Sequence, residues 1–198
     1  MFGKDWLGLK TEEEKNKFIK DLKDLEIFFK KEFDVTIYLM FGTLLGAIRD
    51  KDFIAMDNDI DVAYLSNYHT NKEVKQEWIK ITDYLRKLNW YVMPHFTGQA
   101  WVAMQRTVQQ TILDVWTSWI DETEQYCCVP VGKVCSVDDV LPLTKIKFRT
   151  EEFFVPKNNI KILEFFYHTW QTPLPKDGRR WRKVNNRINR NYLDEEKK

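Results

Sequence analysis

Long apolar runs are the first thing this sequence lacks. No stretch approaches the ~18–20 residues that cross a bilayer, and the opening MFGKDWLGLKTEEEK has no apolar core of a secretion signal. Net charge is nearly absent as well. Lys+Arg total 31 against Asp+Glu 30, leaving +1, so no global signal for nucleic acid or an acidic partner exists. Cysteine is scarce and odd in number. Cys127, Cys128 and Cys135 fit a reduced, cytoplasmic chain, and no fourth residue at ordered spacing completes a zinc site. His69, His95 and His168 stand too far apart for ligand spacing, so each is expected in a structural role. With seven Gly and six Pro, no low-complexity linker or repeat stands out. What is present is apolar and aromatic: 43% hydrophobic residues, eight Trp and thirteen Phe in 198 residues, enough for one good-sized domain, or a domain with a small appendage.

The patterning gives an α+β chain. Phe18, Ile19, Leu22, Leu25, Ile27, Phe28 and Phe29 recur at helical spacing over residues 11–33, with Thr11 and Glu14 forming a capping box. VTIYLMF (35–41) reads as a strand running into Gly42-Thr43-Leu44-Leu45-Gly46, the opening of a short helix. A second strand is expected at 60–65 and an amphipathic helix at 72–88. Strand-like stretches follow at 90–96, 100–106 and 109–119, then a hairpin turning at Val131–Lys133. KIKF and EFFVP read as short strands, and NNIKILEFFYHTW as a helix capped near Asn158 or Asn159. The expected arrangement is a mixed sheet with helices 11–33 and 72–88 on one side. Residues 1–175 are read as one domain. From Lys176 the composition shifts to RRWRKVNNRINR, six basic residues and no acid. A solvated terminal helix and an arm contacting phosphates, anions or a membrane surface both account for it.

Residues 57–65, DNDIDVAYL, hold the chemistry. Side chains alternate along a strand, so Asp59 and Asp61 point to one face, roughly 6–7 Å apart at Cα, while Ile60 and Val62 enter the core. Like charges at this density call for a cation. Oxygen-only ligands select a hard ion such as Mg²⁺ or Mn²⁺. Asp114 in TILDVW, between Leu113 and Val115, is a third acid that needs a partner. If its strand neighbours the other, all three acids meet at one metal. A calcium loop fails on spacing, since Val62 and Tyr68 stand where an EF-hand needs Gly and Glu.

The order strand, Gly42-Thr43, helix, Asp59-x-Asp61, later Asp114 resembles the nucleotidyltransferase superfamily with its polymerase-beta-like fold. FGTLLGAIRDKDFIAMDNDIDV further resembles the signature of the LicD family, which embraces the fukutin-type phosphotransferases. ILDVW, LPLTKIKFRTEEFFVPKN and FFYHTWQTP resemble its later blocks, so the likeness spans roughly residues 35–175. Ala55-Met56 and His168 depart from the family's usual Pro-Trp and Gly; these departures bear on substrate identity rather than on the metal site.

The resemblance implies a metal-dependent transferase that moves a phosphorylated alcohol, such as phosphocholine or a polyol phosphate, from a CDP-linked donor. The acceptor would be a surface glycan or its lipid-linked oligosaccharide precursor. It implies that Asp59 and Asp61 hold Mg²⁺ (or Mn²⁺) against the diphosphate, with Asp57 an outer candidate. Asp114 would complete the site and take the acceptor's proton. Gly42 and Thr43 would cradle phosphate, and Arg49 would neutralise charge on leaving CMP. Trp101, Trp116, Trp119 and Trp170 are candidates for a cage around a quaternary ammonium, or simply for core. Transfer of a nucleoside monophosphate from a triphosphate to a small molecule, RNA or protein is the alternative, and a binding module without catalysis is a third. The acids alone do not separate the two enzymes.

Overall fold

The computed structural model describes residues 7–55, 57–103, 112–167, 169–172, 190 and 192–194. The basic stretch from Lys176 (Arg190 apart), the departures Met56 and His168, and the strand ends expected at 104–106 and 109–111 lie outside them.

The first helix, α1 (Glu12–Phe33), starts at Thr11, and both halves of the capping box form, Glu14 N–H to the Thr11 hydroxyl and Thr11 N–H to the Glu14 carboxylate. Ile19, Leu22, Leu25 and Phe29 are buried along one stripe. Each such side chain contributes about 1.5–3 kcal/mol on leaving water, so packing rather than propensity holds the helix. Asp34 ends it in the left-handed conformation, φ 55°. Then come β1 (Thr36–Leu39), α2 (Phe41–Leu45), which continues as one π-type turn over Gly46–Asp50, and β2 (Ile60–Leu65). The helix α3 (Asn71–Lys87) is capped by Thr70. Strands β3 (Tyr91–Phe96), β4 (Gln99–Ala103) and β5 (Leu113–Ile120) follow, then the hairpin β6 (Gln125–Cys128) and β7 (Gly132–Ser136). The chain continues with β8 (Thr144–Phe148), β9 (Glu151–Val155) and α4 (Asn159–Phe166), capped by Asn158.

The sheet is mixed, in the order β1-β2-β5-β4-β3, with β6 and β7 continuing from β5. β1 pairs antiparallel with β2, and β2 pairs parallel with β5. A parallel pair needs a crossover, and α3 with the β3–β4 hairpin supplies it. β2 is buried through Tyr64 on both faces, which is why its sequence shows an apolar run with acids among it. On the Tyr64 face, Phe29 of α1 lies 6.3 Å from the Tyr64 ring, and α1 meets α3 where Phe33 packs on Tyr84 at 5.4 Å. The opposite face, which carries Asp61, is covered by α2 and α4: Phe41 packs on Trp116 and Phe166, each at 4.9 Å. Helices α1 and α3 thus share one side of the sheet, as the patterning predicts.

Two boundaries differ from the sequence reading. The hairpin turns at Val129–Val131, before rather than across Gly132, because Gly132 is already in β7 with φ 80°. Tyr192 packs against its bare Cα so closely that a Cβ would sit 2.2 Å from the ring. The last helix ends at Phe166 rather than running on to Trp170, since Tyr167 turns to extended backbone. Near the C-terminus, Leu193 is buried in a cluster with Trp119 and Val129, and Asp194 pairs with Lys75 at 2.7 Å.

An ion cluster steadies the loop that leads to the aspartates. Asp52 accepts from Lys15 Nζ of α1 at 2.8 Å and from Arg149 in the β8–β9 turn, and Arg149 also reaches Glu12. Lys15 and Arg149 are largely buried, so these pairs are better shielded than surface ion pairs.

Candidate metal and phosphate site

Parallel pairing of β2 with β5 sets Asp61 directly opposite Asp114. Asp59, just before β2, completes the group. One carboxylate oxygen from each of Asp59, Asp61 and Asp114 lies within 4.8 Å of the others, with Asp61 and Asp114 buried. The donor set is all carboxylate oxygen, with no sulfur or imidazole, which fits a hard divalent cation and not zinc.

Each acid is held differently. Asp61 Oδ2 accepts from the Gly42 N–H at 3.1 Å, its Oδ1 accepts from the Trp116 indole N–H at 3.1 Å, and its own N–H donates to the Thr43 hydroxyl at 2.9 Å. Asp114 accepts from the Gln99 side-chain amide and has the Trp101 indole N–H within bonding reach. Asp57, expected at the periphery, is buried. It accepts from the Asn58 N–H at 3.1 Å and is hydrogen-bonded to Asp59. Gly42 is required by space, because a Cβ there would sit 2.4 Å from Asp57 Oδ2 and 3.2 Å from Asp61 Oδ2. Phe41 just before it holds φ 43°, a left-handed conformation costly for an aromatic residue. Its ring packing on Trp116 and Phe166 offsets that strain.

Gly42 and Thr43 therefore both bear on Asp61. Arg49 stands apart from the acids. Its guanidinium grips Asp50 through two bonds of 2.7 Å and reaches the Trp170 carbonyl at 3.4 Å. Tyr167 lies between: loss of water around its hydroxyl and the charges of Asp61, Asp57 and Asp59 push its pKa well up, and Arg49 opposes this. Of the candidate tryptophans, Trp116 and Trp101 face the acids. Trp119 points to the opposite face of β5, into the cluster with Val129 and Leu193, and takes no part in a cage at this site. His69 is tied to the Ile120 carbonyl at 2.8 Å, and His95 stands edge-on to Trp101, ring centres 4.0 Å apart. Reading the sequence missed Gln99. It stands just ahead of the strand expected from Ala100 and carries no sequence signal of its own; its burial in β4 shows only in the fold.

Burial and mutual repulsion hold protons on this cluster. Asp57 is pushed up to about 8, by loss of water first and Asp59 second. Asp114 rises to about 7, by loss of water and then by Asp59, against the opposing donors Gln99 and Trp101. Asp61 is raised well above its ordinary value by burial and then by Asp59, Asp114 and Asp57. A carboxyl whose pKa is higher in the folded than in the unfolded chain contributes stability below its unfolded pKa of about 3.9. That contribution is lost as pH rises through the folded value. The metal-free protein should therefore lose thermal stability between pH 5 and pH 8.5. Asp59→Asn removes the charge common to all three shifts and should flatten that fall, leaving the melting temperature at pH 8 equal or a few degrees higher. Thermal melts in chelator across this range check it; a large drop in melting temperature for Asp59→Asn at pH 8 would make the acid a structural one.

No curated protein matches the chain. The family model described as LicD/FKTN/FKRP, nucleotidyltransferase domain, matches residues 34–158, well over half of the sequence. That span runs from the C-terminus of α1 to the start of α4. It takes in Gly42, Thr43, Arg49, Asp57, Asp59, Asp61, Gln99, Trp101, Asp114 and Trp116, and stops short of Tyr167.

Proposed function

Because the chain belongs to the LicD/FKTN/FKRP nucleotidyltransferase-domain family, whose members are transferases, we infer that it transfers a phosphorylated alcohol from a CDP-linked donor to a sugar hydroxyl. The acceptor is a surface glycan or a lipid-linked precursor, and CMP is released. The observation that carries this reading is the meeting of Asp59, Asp61 and Asp114 on one face of the sheet. We read the sheet and its flanking helices as a nucleotidyltransferase fold of the polymerase-beta type, and the chain as cytoplasmic. Among the described residues no helix is long and apolar enough to cross a membrane.

Asp59, Asp61 and Asp114 are the residues that would hold Mg²⁺ or Mn²⁺, which when bound supplies positive charge against the donor diphosphate. Asp114, ionised beside the cation, is the carboxylate we read as the general base. It takes the proton of the acceptor hydroxyl. The acceptor oxygen forms the new O–P bond while the bond from phosphorus to the CMP oxygen breaks, and CMP leaves with that bonding pair. Gly42 and Thr43 act on phosphate through Asp61, whose carboxylate and N–H they fix. Arg49, next to Tyr167, offsets charge on the departing nucleotide. Phosphoryl transfer asks mainly for positioning and charge neutralisation, and this set supplies both.

The competing reaction, nucleoside monophosphate transfer from a triphosphate, uses the same three acids. The blocks after residue 140 that resemble the phosphotransferases, LPLTKIKFRTEEFFVPKN and FFYHTWQTP, favour the first. Incubating the protein with Mg²⁺, glycan acceptors and separate panels of CDP-alcohols and NTPs distinguishes them. CMP release from a CDP-alcohol is the expected product, and pyrophosphate release from an NTP with no turnover of CDP-alcohols would overturn the reading.

A further inference from the structure

Across the sheet from the acids runs a continuous row of side chains. Asp61 pairs with Asp114, Asp114 with Trp101, and Trp101 with Met93, so the four share one face and lead from the acid cluster to the outer strand. Beyond Asp114 the row is apolar and increasingly open. Trp101 is partly exposed, Met93 is 37% exposed, and His95 is exposed against the edge of the Trp101 ring. The indole N–H within reach of Asp114 fixes the ring beside the carboxylate proposed to take the acceptor's proton.

One further atom narrows what belongs there. Gln99 is 2% exposed, and its amide N–H₂ is spent on Asp114, leaving Oε1 buried with no hydrogen-bond partner. A buried acceptor without a donor is destabilising, so it calls for a ligand that brings one. Gln99 is two residues from Trp101 on the same strand and on the same face.

We propose that Trp101, flanked by His95 and Met93, is the shelf on which the acceptor's pyranose ring stacks, with Gln99 Oε1 accepting from a hydroxyl beside the one that reacts. A sugar presents both an apolar ring face for the indole and adjacent hydroxyls, one for Asp114 and one for Gln99. A quaternary ammonium brings no donor for Gln99. A nucleobase brings one but belongs to the leaving group, which must depart opposite the attacking oxygen. Gly42 and α2 close the row at its other end, from the β1 side, and Arg49 continues from that helix, so the far side of the acids is the donor's. This proposal rests on the transferase reading for the role of Asp114, but its test does not depend on turnover.

The probes are methyl pyranosides, CMP and choline, each followed by saturation-transfer NMR with wild-type protein and with Trp101→Ala, Trp101→Phe and His95→Ala. Wild-type protein should saturate the ring protons of at least one methyl pyranoside. Trp101→Ala should weaken that binding about tenfold or more, while Trp101→Phe, which keeps a stacking face, should retain most of it. His95→Ala, an exposed change that the fold tolerates, should weaken it by a smaller factor. CMP binding should change less than twofold in all three. Deoxygenation of the pyranoside next to the reacting position should weaken wild-type binding, because Gln99 is then left unpaired again. Trp101-dependent binding of CMP or choline with pyranosides unaffected would overturn the shelf, as would pyranoside binding indifferent to Trp101. Sugar binding that depends on Trp101 in a protein that turns over no CDP-alcohol would support the shelf and remove the transferase reading. Turnover of CDP-alcohols with an acceptor KM indifferent to Trp101 would do the reverse.

Discussion

Asp61→Ala should abolish turnover, by on the order of 10³-fold or more, because it removes one of the two buried carboxylates among the three that would share one cation. The substitution has two structural consequences of opposite sign. It strips the Gly42 and Trp116 N–H groups of their acceptor, each left-over donor costing about 1–3 kcal/mol. It also relieves repulsion from Asp59, Asp114 and Asp57, whose charges all bear on Asp61. The metal-free melting temperature should consequently move far less than the activity. Stabilisation of the folded protein by added Mg²⁺, clear in the wild type, should vanish in the variant. Chelator should reproduce the loss in wild-type protein, and Mg²⁺ or Mn²⁺ should reverse it. Melts with and without Mg²⁺, run beside a CMP-release assay, measure both quantities. Full activity in excess EDTA would end the metal-dependent reading, and an Asp61→Ala protein with retained turnover would remove Asp61 from the site.

What the sequence made legible was local. The capping box at Thr11 and Glu14, the strand-to-helix passage at Gly42 and the alternation of Asp59 with Asp61 are each decided by neighbours within a few residues, and each is found in the fold. The meeting of Asp61 with Asp114 was legible only as a condition, because more than fifty residues separate them and strand register is a tertiary quantity. Parallel pairing satisfied that condition. Burial of Asp57 was illegible for a related reason: whether an acid before a strand faces solvent depends on what approaches it. Here Gly42, without a Cβ, lets the acids crowd in. The π-type turn at Gly46–Asp50 carries no pattern of its own, and it sets Arg49 against Asp50 and Trp170 rather than into the acid cluster. Gln99 escaped notice because an amide in a strand has no motif; only the register that puts it beside Asp114 gives it a role.

Asp114→Asn is the sharper test of mechanism, because it keeps the shape and one ligand oxygen while removing the proton acceptor. If Asp114 is both ligand and base, donor affinity should fall little, while kcat drops by about 10²–10⁴-fold, the usual contribution of a positioned acid–base group. The local bonding sharpens the expectation. Asp114 has Gln99 and Trp101 as donors, and an asparagine can satisfy one with its oxygen only by turning its own N–H₂ towards the other or towards the metal. A modest loss of metal affinity should therefore accompany the loss of kcat. The competing explanation is that Asp114 serves packing alone, held by two neutral donors inside a strand. In that case the asparagine variant would lose some stability and keep its turnover. Calorimetry of donor binding beside single-turnover kinetics separates these outcomes. Chemistry slowed by two orders of magnitude or more, with donor affinity within a few-fold of wild type, makes Asp114 the base. Near-normal turnover would leave Asp59 and Asp61 to hold the cation as a pair and would return the acceptor's proton to water.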